Sequence, residues 1–80
     1  MTELFTKVDT VLARLVQFCV DHNLGYSYTL DNDRLTWHMK DYKSGLGLHI
    51  PVTRDELTAA DPDDVVDDIL ARWEYIYMKR

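Results

Sequence analysis

One cysteine, three glycines and two prolines are all that this chain of 80 residues holds of those types. With Cys19 alone no intramolecular disulfide can form, so a small core must rest on packing, with self-association as an additional source of stability. The scarcity of glycine and proline beside 46% hydrophobic residues excludes a disordered or low-complexity segment. No apolar run exceeds a few residues, far short of the ~20 that a membrane helix needs. Glu3 and Asp9 stand where a secretory signal requires basic residues. The expectation is a soluble, cytoplasmic protein with no membrane contact, folded as a single domain over residues 1–80.

Catalytic signatures are missing as well. No P-loop, dinucleotide-binding glycine pattern, zinc-ligand cysteine cluster or nucleophile elbow occurs, so the chain is expected to be neither an enzyme nor the holder of a cofactor. The remaining gap is one of charge. Residues 1–50 balance six acids against five bases, whereas Asp55, Glu56, Asp61, Asp63, Asp64, Asp67 and Asp68 form a stretch without any base, inside a chain of net charge −5. Such a face repels phosphate and favours a basic partner.

What is present gives the architecture. Leu4, Val8, Val11, Leu12, Leu15, Phe18 and Cys19 recur at the 3/4 spacing of an amphipathic helix. Thr2 suits its N-cap, Glu3 its positive end, and Asn23 or Gly25 the left-handed residue that ends it. Cys19 lies on the apolar stripe and reads as a packed small hydrophobe. The period then changes to two. Tyr26, Tyr28 and Leu30 alternate with polar residues, then Leu35, Trp37 and Met39, then Leu46, Leu48, Ile50 and Val52, which predicts three strands. "DNDR" and "DYKSG" supply the turns between them. Pro51 requires the third strand to end there or to lie at an edge. Thr53 and Glu56 have capping-box spacing for a short helical turn. Asp61 and Pro62 then read as a fresh N-cap and first helical residue, with Val65, Val66, Ile69, Leu70, Trp73, Ile76 and Tyr77 as the buried face of a last long helix.

The predicted fold class is α+β: a two-layer sandwich in α-β-β-β-α order, with a three-stranded antiparallel sheet and both long helices on one of its faces. The other face is left open and carries Ser27, Thr29, Thr36, His38, Lys40, Gly47 and His49. The order resembles that of the double-stranded-RNA-binding domain in topology. That recognition needs lysines at the start of the last helix, and Asp61, Asp63 and Asp64 stand there instead, so no direct nucleic-acid binding is expected and the family is not assigned.

The aspartate run fails as a calcium loop. Starting at Asp61, it puts Val65 and Val66 at the fifth and sixth positions and Arg72 where a bidentate glutamate belongs. Much of it is helix initiation: Asp61 caps, acids suit the positive end of the dipole, Asp68 can pair with Arg72, and Lys79 and Arg80 suit the negative end. The pairs Asp63/Asp67 and Asp64/Asp68 exceed that need, since like charges four apart cost a few tenths of a kcal/mol each. Aligning Trp37 with Leu48 sets His38 diagonal to His49 on the open face, with no third metal ligand evident. Tyr26, Tyr28, Trp37, Trp73 and Tyr77 fall on faces expected to be buried, whereas Tyr42 and Tyr75 do not and are candidate interface anchors.

These features point to a small acidic protein-binding or regulatory module of the cytoplasm that acts through residues 55–68 on a protein partner, a basic one by charge. The open face, through Thr36, His38, His49, Tyr42 and Tyr75, is a candidate interface for a homodimer. A sharper version is an inhibitor that imitates DNA phosphates toward a nucleic-acid-handling protein, as an accessory protein of phage type. The competing class is a metal-dependent enzyme or metal-binding protein using the aspartates or His38 and His49.

Overall fold

The apolar stripe of the first segment folds as predicted into α1 (Thr2–Asp21), in a computed structural model that describes residues 2–78, with side chains from Leu4 onward. The roles expected of the Thr2 and Glu3 side chains, and of Lys79 and Arg80, lie outside the described residues. Val8, Val11, Leu15 and Cys19 are buried, and Leu4, Leu12 and Phe18 pack around them. The helix ends at Asn23, whose φ is 57°. The Asn23 N–H donates to Val20 C=O at 3.3 Å and the Leu24 N–H to Cys19 C=O at 2.8 Å, the paired bonds of a Schellman stop. Asparagine tolerates this left-handed geometry through its short polar side chain. Asn23→Gly is therefore expected to hold or slightly raise stability in urea denaturation, whereas Asn23→Val lowers it by more than about 1 kcal/mol.

Three strands follow, β1 (Gly25–Leu30), β2 (Arg34–Lys40) and β3 (Gly47–Thr53), in the sheet order β1-β2-β3 with antiparallel pairing throughout. The β1–β2 turn is tied by Asp31, whose Oδ1 accepts the N–H groups of Asp33 at 2.8 Å and Arg34 at 2.9 Å. Those two bonds hold its carboxyl below the ordinary value. The β2–β3 turn closes on Asp41, which is buried and accepts the Lys43 N–H and the Ser44 hydroxyl. Gly45 completes that turn with a φ of 79°.

Two turn bonds fix the phase of the ladders. The Asp31 N–H donates to Arg34 C=O, and the Asp41 N–H to Leu46 C=O. Bonded pairs alternate along antiparallel strands. Gly25, Ser27 and Thr29 therefore direct their backbone groups to β2, while Leu35, Trp37 and Met39 direct theirs to β3. Tyr26, Tyr28 and Leu30 turn theirs outward to the free edge. On β3 the outward set includes Pro51, whose missing N–H thus costs no bond, in keeping with an edge position.

Thr53 caps α2 (Arg54–Ala59), its side chain accepting the Glu56 N–H at 3.1 Å. Lys7 Nζ of α1 donates to the C=O groups of Thr58 and Ala60, meeting carbonyls left open where α2 ends. Asp61 Oδ1 then accepts the Asp63 N–H at 2.9 Å, and α3 (Pro62–Met78) begins at the proline. Val65, Val66, Ile69 and Trp73 are buried on its inner face. The result is an α+β fold with an open three-stranded sheet, with Trp37 fully buried at the centre of the core.

Three expectations need correction. Trp37 pairs with Ile50, not Leu48, so His38 lies directly opposite His49; the Asp41–Leu46 turn is longer than the alignment allowed, and the shift of two residues keeps every side chain on its expected face. Tyr26, Tyr28 and Leu30 share the inner face with Met39, Trp37 and Leu35, yet each is nearly half exposed, because β1 is an edge strand that the helix layer covers only in part. Tyr77 is likewise exposed, near the end of α3.

Candidate functional site

The seven acids of residues 55–68 do not form one surface. Asp61 caps α3, and Asp63 is bound by Arg14 of α1. Asp68 pairs with Arg72 one turn on at 3.2 Å, as its spacing predicts. Asp55, Glu56, Asp64 and Asp67 make no ion pair among the described residues. The two pairs that exceed the needs of the helix also part company. Asp63 faces α1, while Asp64 and Asp68 turn toward α2.

There, between α2, β3 and α3, lies a shallow groove of about 380 Å³. Its floor is Val52, Ala59, Ala60, Val65 and Ile69, and its rim carries Glu56, Asp64 and Asp68. An apolar floor under an acidic rim suits the side chains of lysine and arginine, which lay methylenes on apolar surface and place the charge at its border. Of the predicted acidic residues, the fold brings these three together. Asp55 is exposed on α2 and Asp67 on α3, and neither lines the groove.

The expected interface residues separate in a similar way. Thr36, His38 and His49 share the uncovered sheet face, with the imidazoles edge to face at 4.4 Å between centroids. This closeness follows from the ladder phase, since His38 and His49 form a pair without mutual backbone bonds, where side chains approach most nearly. Among the described residues no group of three or more His, Cys, Asp or Glu could hold a metal ion. Tyr42 lies at the end of the sheet, its ring over Gly25, where even a Cβ would come within 2.5 Å of it, and with Lys40 Nζ 5.7 Å from the ring centroid. Tyr75 is exposed on α3, in the helix layer, and does not join that face.

A cleft of about 540 Å³ opens where α1 and α3 end, between Phe18, His22, Tyr42, Trp73 and Tyr77. Phe18 and His22 stack at 4.1 Å, and Lys43 and Glu74 supply opposite charges at its lining. No motif marks it, because its residues come from three separate parts of the chain. Comparison with protein-family models, with curated proteins and with solved structures returns no significant match for this chain.

Proposed function

We propose that the chain is a non-catalytic protein-binding or regulatory module that seats a basic segment of a partner protein in the groove between α2 and α3. The supporting observation is the rim of Glu56, Asp64 and Asp68 around an apolar floor, in a chain of net charge −5. Lysine or arginine stems lie across Ala59 and Ala60, the part of the floor open to solvent, while their charges meet the carboxylates. Imitation of a phosphate backbone asks more of the acids, since Asp61 and Asp63, which lie outside the groove, already have partners within the fold. The proposal places the protein in the cytoplasm, where a lone thiol such as Cys19 stays reduced.

The test is a partner captured from the native host, then measured against the purified chain and against a Glu56→Gln/Asp64→Asn/Asp68→Asn variant. Neutralisation is expected to weaken binding by on the order of tenfold or more, and raising salt from low to moderate ionic strength should weaken the wild-type complex in parallel. Binding that persists through both changes overturns the proposal.

A further inference from the structure

The free edge of β1 is unusual in having no protection among the described residues. Edge strands are normally blunted by charge, proline, a bulge or a covering element. The other edge of this sheet follows that rule, with Pro51 among the outward-facing residues of β3 and α2 packed beside it. The segment "GYSYTL" of β1 has neither charge nor proline, and its pairing with β2 runs without a break from Gly25 to Leu30. Tyr26, Tyr28 and Leu30 each offer one outward N–H and one outward C=O, and the same three side chains lie half exposed on the inner face.

Beside them runs a flank of α1. Phe5 is 59% exposed and Val20 62% exposed. Phe5 lines the same groove as Leu30, and Val20, near the end of α1, lies toward the Tyr26 end. Backbone donors, backbone acceptors and apolar side chains are thus gathered along one edge.

The geometry points to a second copy of this chain as the occupant, paired antiparallel through β1 about a two-fold axis at Tyr28. In that register Tyr28 meets Tyr28, and Tyr26 meets Leu30 of the second copy. All three outward residues then exchange both of their backbone bonds, and their side chains stay on the inner face of one continuous six-stranded sheet. Charge favours the same occupant. The acids of residues 55–68 lie on α2 and α3, with α2 against β3 at the opposite edge, so the most acidic stretch of each copy is kept away from that of the other. Asp31, next along from the strip, falls opposite Gly25 of the second copy.

This dimer uses a different surface from the uncovered sheet face and does not depend on the acidic groove. Sedimentation of the full chain, combined with residue-resolved amide exchange, tests it. A dimer is expected in which the Tyr26, Tyr28 and Leu30 amides are protected, with that protection falling on the order of tenfold or more upon about a hundredfold dilution. The Ser27 and Thr29 amides, bonded to β2, stay protected at both concentrations. Tyr28→Lys and Tyr28→Glu should each be monomeric, because like charges meet on the axis, and a mixture of the two should associate again. Ser27→Lys, which places its charge on the other face, should remain dimeric. A wild-type monomer at high concentration overturns the proposal, and so does a dimer whose Tyr26, Tyr28 and Leu30 amides exchange freely.

Discussion

Trp37→Ala is expected to lower the free energy of unfolding by about 3–5 kcal/mol, a large share of the ~5–15 kcal/mol that a domain holds. Trp37 lies on the central strand with no exposed surface. It packs in the shared core with side chains of α1 and α3, and Tyr26 stacks on it at 5.8 Å between centroids. Alanine leaves a cavity that three elements would have to collapse to fill. Trp37→Phe separates packing from polarity. The indole Nε1 is buried with no hydrogen-bond partner among the described residues, and an unmet buried donor carries a desolvation cost that phenylalanine lacks. The phenylalanine variant should therefore lose only about 1–2 kcal/mol. Urea denaturation followed by far-ultraviolet dichroism measures both. A loss below about 1 kcal/mol for Trp37→Ala would mean that the core is centred elsewhere.

The second large effect concerns chemical reactivity. Burial pushes the Cys19 thiol from an ordinary 9.0 up to about 11, with no exposed surface on the residue. At neutral pH the folded protein then holds about one thiolate in ten thousand. Labelling by a disulfide reagent should be at least about a hundredfold slower in the folded protein than in the denatured chain at the same pH. Rates within a factor of about three of each other would show that α1 opens readily from the sheet. The same residue sets an alkaline limit on stability. Between pH 9 and 11 the unfolded chain releases a proton that the folded protein keeps, so the contribution of the buried neutral thiol is complete below about pH 9 and is lost as the pH rises toward 11. Cys19→Ala should flatten that decline in pH-dependent denaturation.

Local chemistry carried most of the fold into the sequence. The stripe of α1, the Asp61–Pro62 start of α3 and the Thr53 cap each depend on residues within a few positions of one another, and each forms as the spacing implies. What could not be read depends on distance. Alternation assigns Tyr26, Tyr28 and Leu30 to a face, but it does not say that their strand lies at an edge beyond the main cover of the helices. The register of β2 with β3 turns on how Asp41 closes its loop, and two residues of uncertainty there move His38 from diagonal to directly opposite His49. The candidate groove shows the same limit. That Asp63 would be drawn to Arg14, 49 residues away, while Asp64 and Asp68 stay beside α2, follows from the packing of α1 against α3 and not from the aspartate run.

Pro51 carries a consequence for how large any assembly can become. Two copies joined through β1 leave only the β3 strands at the ends of the shared sheet, and each end presents a residue that cannot donate. Open-ended addition needs two edges open to pairing, and among the described residues only that of β1 is open. Growth therefore stops after a single addition, giving a closed particle of fixed size in place of a filament.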